Sequence, residues 1–124
     1  MKHVLIVDDS PLNLTLAKDI LQSSGYETSE IECGEDLQAQ LEKQRPDLVL
    51  MDIQLPGMSG FDCLKWMRAD ARYAAIPVVA FTASVMQDDK QAIIDSGFNG
   101  LIEKPIGFKE FLNTISSTLQ NSLA

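Results

Sequence analysis

At four places in the chain an apolar run ends on a polar residue that can do chemistry. Asp8 and Asp9 follow Val4-Leu-Ile-Val7, Asp52 follows Leu48-Val-Leu-Met51, Thr82 follows Pro77-Val-Val-Ala-Phe81, and Lys104 follows Gly100-Leu-Ile-Glu103. Removing an ionised carboxylate from water without a partner costs several kcal/mol or more, so Asp52 needs compensation. Three carboxylates brought together repel one another and rise in pKa unless a cation sits among them. An all-oxygen set with few protein ligands suits Mg²⁺, a hard ion that keeps several waters and favours phosphate oxygens. Lys104 adds one positive point charge.

A carboxylate so placed can also act as a nucleophile toward phosphorus. Phosphoryl transfer asks mainly for positioning and for neutralisation of the equatorial oxygens, which Mg²⁺ and Lys104 supply. The Thr82 hydroxyl can then donate to a phosphoryl oxygen on Asp52, and its movement would drag the loop that follows. Taken singly, each residue has a blander role. A lone Asp at a strand end caps a helix or is solvated, a lone Thr is a satisfied loop hydroxyl, and a lone Lys is a surface charge. The signal lies in their joint order along the chain.

The elements that must deliver these groups are legible. Five apolar runs read as strands: His3 to Val7, Glu27 to Ile31, Leu48 to Met51, Pro77 to Phe81 and Gly100 to Glu103, with the weak second one at an edge. Hydrophobicity that is continuous rather than alternating marks strands covered on both faces. Helical periods lie between them. Ser10 as N-cap and Pro11 at the first position open a helix whose Leu12, Leu16, Ile20 and Leu21 form the expected core face, until Gly25 stops it. Glu35 to Gln44 carries Leu37 and Leu41, Phe61, Leu64 and Met67 mark a helix after Gly60, and Gln87 to Ser96 carries Ala92 and Ile93. Phe108, Phe111, Leu112, Ile115 and Leu119 give the clearest amphipathic pattern, ending near Leu119 with a short polar tail from Gln120. Strand and helix alternate five times, which predicts an α/β, doubly wound parallel sheet with helices on both faces. In such sheets ligands gather at the carboxyl ends of the strands, where all of the singled-out residues stand.

Composition narrows the function. With 124 residues, 45% hydrophobic and 23% charged, the chain has the makings of one domain, 1–124, with a core over about 2–120. A net charge of −8 argues against direct binding of nucleic acid. No apolar run approaches the roughly 18 residues that span a bilayer, and Met1-Lys2-His3 leads straight into a strand rather than a signal peptide, so a cytoplasmic location is expected. Cys33 and Cys63 lack metal or redox spacing and read as small packing thiols. His3, the one histidine, reads as a surface or strand-edge residue.

On these residues the chain resembles the receiver domains of bacterial two-component response regulators, over essentially its whole length. The motifs are VLIVDDS with Asp8 and Asp9, PDLVLMDIQLPGMSG with Asp52, PVVAFTA with Thr82, and IEKPI with Lys104. The resemblance implies a five-stranded flavodoxin-like sheet of order 2-1-3-4-5 with five helices. It implies Asp52 as phosphoacceptor, and Mg²⁺ held by Asp8, Asp9, Asp52 and the Gln54 backbone carbonyl. It further implies Thr82 as the switch hydroxyl, Lys104 as the phosphoryl contact and a cis peptide between Lys104 and Pro105. Gln54 and Ser84 would flank the phosphoryl group, and Gly57 and Gly60 match the loop that turns the chain after Asp52. Many receivers carry Tyr or Phe three residues before the lysine. Here the position is Leu101, which cannot swing a polar ring tip, so Thr82 couples to the output face more weakly or through other groups.

The resemblance implies a phosphoacceptor signalling module of a two-component system or phosphorelay, not an enzyme beyond its own phosphorylation and dephosphorylation. Its partners would be a histidine kinase or histidine phosphotransferase and a downstream protein docking on Gln87 to Leu119. With this as the natural length, the short polar tail after the last helix is expected to carry no effector, as in the single-domain regulators of chemotaxis and the cell cycle, while a receiver cut from a hybrid kinase or larger regulator is the alternative. An aspartyl-nucleophile phosphatase would want a second acid two residues after the nucleophile, where Gln54 stands. A flavodoxin-like nucleotide binder would want a phosphate cradle that Asp8-Asp9-Ser10-Pro11 lacks.

Overall fold

The computed structural model describes residues 2–55, 57–82, 87–104 and 107–122, and only the backbone at 87–90, 108, 121 and 122. Five strands alternate with helices. They are β1 (His3–Val7), α1 (Pro11–Ser23), β2 (Glu27–Ile31), α2 (Leu37–Lys43), β3 (Leu48–Asp52), α3 (Gly60–Ala69), β4 (Val78–Thr82), α4 (Gln87–Asp95), β5 (Gly100–Glu103) and α5 (Phe108–Ser122). A short 3-10 turn, Gly34–Asp36, precedes α2. The sheet is parallel throughout, in the order β2-β1-β3-β4-β5.

The pleat explains why the central strands are apolar without interruption. Side chains alternate between the two sheet faces, and both faces are covered. Leu5, Val7, Val49, Met51, Val78 and Ala80 pack toward α2, α3 and α4, where Leu37, Leu64 and Ile93 meet them. Val4, Ile6, Leu48, Leu50, Val79 and Phe81 pack toward α1 and α5, against Leu21, Phe111 and Ile115. Every residue of β1, β3 and β4 is buried, while β2 at the edge is mostly exposed or half-buried. The weak second strand belongs at an edge for that reason.

Several expectations need correction. In α1 the buried face is Leu14, Ala17 and Leu21, whereas Leu12 is 68% and Leu16 43% exposed. The helix is apolar on two faces, and periodicity alone picked the stripe with the larger side chains over the one containing a small Ala17. Phe61 is likewise at the rim of its helix, its ring edge-on to Phe98 at 5.8 Å, and Ala92 is exposed. The segment from Glu35 splits into the 3-10 turn and a shorter α2, and α5 runs on to Ser122 rather than ending near Leu119. His3 is buried, not at the surface. Its ring lies between Ser29 Oγ at 2.9 Å and Gln44 Nε2 at 3.3 Å, and its N–H donates to Asp47 Oδ2.

The α1 assignment makes opposite predictions for two leucines. Leu21→Ala should cost about 2–5 kcal/mol, as cavity-forming core substitutions do, and Leu16→Ala should stay within about 0.5 kcal/mol. Urea unfolding midpoints at unchanged slope check this, and a costlier Leu16→Ala would reverse the two faces.

Candidate functional site

The site is built at the carboxyl rim where β1, β3, β4 and β5 end. Register places its members side by side, since Val7 pairs with Met51, Asp52 with Phe81, and Thr82 with Glu103. Asp8 is fully buried, held where the chain leaves the sheet because its Oδ1 accepts the Ser10 N–H at 2.9 Å. Ser10 in turn caps α1, its hydroxyl accepting from Asn13 N–H, with Pro11 in the first turn as the sequence predicts. Asp9 is exposed, on the solvent side of the same corner.

Asp52 is 4% exposed. Its Oδ1 accepts the Gln54 N–H at 2.9 Å, which fixes the carboxylate plane, and its Oδ2 faces Lys104 Nζ at 3.2 Å. Lys104 Nζ also lies 2.8 Å from Asp8 Oδ2 and sits over the Phe81 ring, 4.7 Å from its centroid. The ammonium is therefore fixed from three sides, by two carboxylates and an aromatic face. Its backbone N–H donates to Thr82 O at 2.7 Å, tying the ends of β4 and β5 together. Alternation along β4 puts Thr82, which is buried, on the sheet face that α4 covers, opposite Phe81 and Lys104.

The electrostatics follow from this crowding. Burial, assisted by the neighbouring Asp8 charge, pushes the Asp52 carboxyl above its usual range, although the Gln54 N–H and Lys104 pull the other way. Burial also opposes the charge on Lys104, but Asp8 and Asp52 outweigh it and hold its pKa above the usual lysine value. One ammonium thus serves two buried carboxylates, and a negative charge is left over.

The donor set fits a hard divalent cation. Asp8, Asp9 and Asp52 each offer a carboxylate oxygen, and these lie within 4.8 Å of one another. Buried Asp8 Oδ2 has the Lys104 ammonium 2.8 Å away as its partner, and a carboxylate oxygen can take more than one such contact. An all-oxygen cluster of this kind is what Mg²⁺ or a similar ion would complete.

Of the residues singled out from the sequence, Asp8, Asp9, Asp52 and Lys104 come together as a group, Thr82 lies one residue beyond the partner of Asp52 on β4, and Gln54 meets Asp52 through its N–H. Ser84 and the Lys104–Pro105 peptide lie outside the described residues. Two contributors escaped sequence reasoning. Phe81 reads from sequence only as a buried strand residue, and Glu35 only as the start of a helix, yet its Oε1 accepts the Met58 N–H in the loop after Asp52 at 3.0 Å. That loop is tight. Gly57 has φ +73°, and a Cβ on Gly60 would lie 2.5 Å from Asp52 O, so neither position tolerates a side chain without displacement.

Comparison with known proteins agrees with the resemblance drawn from the motifs. A model of the response regulator receiver domain matches residues 4–116. The chain is 42% identical over 118 residues to the polar-differentiation response regulator DivK of Brucella anthropi, covering 95% of this chain and 96% of that one. Its structure is similar to the chemotaxis protein CheY4 of Vibrio cholerae, with a TM-score of 0.88 at 30% identity over 95% of this chain and 98% of that one. It is equally similar to the receiver domain of a signal transduction histidine kinase from Syntrophus aciditrophicus, with a TM-score of 0.88 at 27% identity over 98% and 92% of the two chains.

A raised Asp52 pKa has a sign that can be tested. The unfolded chain ionises Asp52 more readily than the folded one does, so stability drawn from its protonated form is present below the unfolded-chain pKa and is lost as pH rises through the folded one. Asp52→Asn, which stays neutral, should therefore be more stable than the unsubstituted protein at pH 7 in metal-free buffer. The gain should shrink toward zero near the ordinary Asp pKa of about 3.9. Urea midpoints across that pH range measure it, and an Asn variant weaker at pH 7 would contradict the electrostatic account.

Proposed function

The chain belongs to the response-regulator receiver-domain family, and from that premise we propose that it accepts a phosphoryl group on Asp52 from a phosphohistidine of a partner protein and thereby changes what it binds. The observation that carries this reading is the convergence of Asp8, Asp9 and Asp52 on one point with Lys104 against them. In the transfer, an Asp52 oxygen forms the new bond to phosphorus as the phosphorus–nitrogen bond breaks. The electron pair of that bond leaves with the imidazole, which takes up a proton from solvent.

Asp8, Asp9 and Asp52, with the Gln54 backbone carbonyl, would hold Mg²⁺, which supplies charge neutralisation for the phosphoryl oxygens. The chain's own groups supply the rest. The Gln54 N–H orients the carboxylate, so the nucleophile is positioned before the donor arrives. Lys104 is fixed by Asp8 and the Phe81 ring and presents its positive charge to the incoming group. Once Asp52 carries the phosphoryl group, as a mixed anhydride, its carboxyl loses its own charge toward Lys104, and the lysine exchanges a carboxylate for a phosphoryl oxygen.

Thr82 would report the event. Its hydroxyl lies on the α4-facing side of the sheet and would donate to the new phosphoryl group, while its carbonyl remains bonded to the Lys104 N–H. Both contacts bias a pre-existing equilibrium rather than create a fold. Leu101, half-buried against the core that α4 covers, stands where an aromatic switch is common, so packing rather than a ring swing would convey the change. The downstream protein would dock on Gln87 to Leu119. The donor would approach from the α1 side, where Leu12 and Leu16 stand exposed beside the acidic corner. Likeness over nearly the whole chain to DivK, a polar-differentiation response regulator, supports a signalling role. The module would catalyse only its own phosphorylation and dephosphorylation, because position 54 offers an amide where an aspartyl phosphatase uses an acid. A cytoplasmic location suits a kinase-fed module, and among the described residues no helix is long and apolar enough to cross a membrane.

Incubation with acetyl phosphate and Mg²⁺ should add one acid-labile phosphoryl group, read by intact mass, and Asp52→Asn should abolish it. Equal labelling of the substituted protein would reassign the acceptor. Lys104→Ala leaves two buried carboxylates uncompensated and should lower stability by about 3–5 kcal/mol, while phosphorylation persists and partner binding no longer responds to it.

A further inference from the structure

The loop after Asp52 is braced from outside the site. At its start the Gln54 N–H is held by Asp52 itself, and at its end the Gly60 N–H donates to Ile53 O. Ser59 and Asp62 close a reciprocal cap on α3. Between these anchors, among the described residues, a further contact comes from the 3-10 turn before α2. Glu35 Oε1 accepts the Met58 N–H at 3.0 Å, and its carboxyl group fills the space beside Gly57, where a Cβ would lie 3.2 and 3.3 Å from its two oxygens. Gly34 brings the turn close enough to do this. A Cβ there would lie 2.9 Å from Met58 O and 2.6 Å from Cys63 Sγ. Two residues after Glu35, fully buried Leu37 fixes the turn against the same core that holds Ile53, Leu55 and Cys63.

We propose that Glu35 is a positioning residue for phosphorylation: by accepting the Met58 N–H it sets the path of the loop after Asp52, and so the placement of Gln54 beside the carboxylate. The contact is charge-assisted and aimed at a backbone donor, a bond about twice as strong as a neutral one. Met58 follows Gln54 by four positions, with Gly57 in the left-handed region immediately before it, so a change in the placement of Met58 is expected to reach Gln54 along a short stretch of chain. Gln54 is tied to Asp52 Oδ1, and through it Glu35 acts on the nucleophile and on the oxygen set without touching either. The remaining lever is geometric, as for groups that orient ligands from behind.

The inference rests on the phosphoacceptor reading for one arm of its test only. Glu35→Ala and Glu35→Gln are compared with the unsubstituted protein in three measurements: backbone amide shifts of Gln54 and Met58 without metal, Mg²⁺ affinity of the unphosphorylated protein by calorimetry, and the rate of labelling by acetyl phosphate. Glu35→Ala should move both amides, weaken Mg²⁺ about tenfold and slow labelling in proportion at subsaturating Mg²⁺. Glu35→Gln keeps an oxygen for the Met58 N–H and should recover to within about threefold. Because Glu35 is exposed, urea midpoints of both variants should stay close to the original. Unchanged Gln54 shift and Mg²⁺ affinity in Glu35→Ala would overturn the proposal, as would a Glu35→Gln variant no better than Glu35→Ala. If the unsubstituted protein takes no label, the Asp52 reading fails while the first two measurements still judge Glu35.

Discussion

One lysine between two buried carboxylates governs this structure. Asp8 and Asp52 are both removed from water, and Lys104 is the cation brought to them, 2.8 Å from one and 3.2 Å from the other. A single pair could be self-contained. Two carboxylates on one ammonium cannot, and Asp9 adds further negative charge from the solvent side. The rim is thus under-compensated in a direction that favours cations, and its cost is set against a central sheet whose strands are buried on both faces. A protein selected for stability alone would place apolar groups at these positions.

The parallel sheet is what makes this concentration of charge possible. Every strand of a doubly wound sheet ends at the same edge, so residues far apart in sequence arrive together without any long loop. Asp8, Asp52 and Lys104 span nearly the whole chain, yet each needs only to be the first residues after its run of apolar ones. The helices then set the corners. Ser10 and Pro11 begin α1 immediately after Asp8-Asp9, and Ser59 with Gly60 begins α3 against the Asp52 carbonyl. Strand ends supply the charges, and helix starts stop the chain from carrying them away.

Most of this was legible because it depends on residue type at strand ends. Three of the five strands have the bounds read from their apolar runs; β3 extends by one residue to include Asp52, and β4 runs from Val78 to Thr82 rather than from Pro77, since a proline cannot donate to the ladder. The edge position of β2 followed from its polar character. What was not legible depends on partners outside the local pattern. The buried face of α1 turned on Ala17, whose small size only tertiary packing reveals. His3 is buried because Ser29 and Gln44, distant in sequence, offer its ring hydrogen-bond partners. Glu35 looks like any acidic residue at a helix start until the loop after Asp52 folds back upon it.

The site also divides its labour across the sheet. Lys104, Phe81 and the side chains of Asp8 and Asp52 belong to the face that α1 and α5 cover, whereas Thr82 belongs to the face of α3 and α4. A phosphoryl group at the rim would touch both at once, by charge on the first face and by a hydroxyl on the second. The two sides are joined at the backbone, where the Lys104 N–H donates to Thr82 O and ties the ends of β4 and β5 together. An aromatic lever at position 101 is not required by this geometry. Leu101 sits on β5 paired with Ala80 of β4 and packs on the α4-side core, so in the proposed role a shift at Thr82 would have a path to it through two strands that are already hydrogen-bonded.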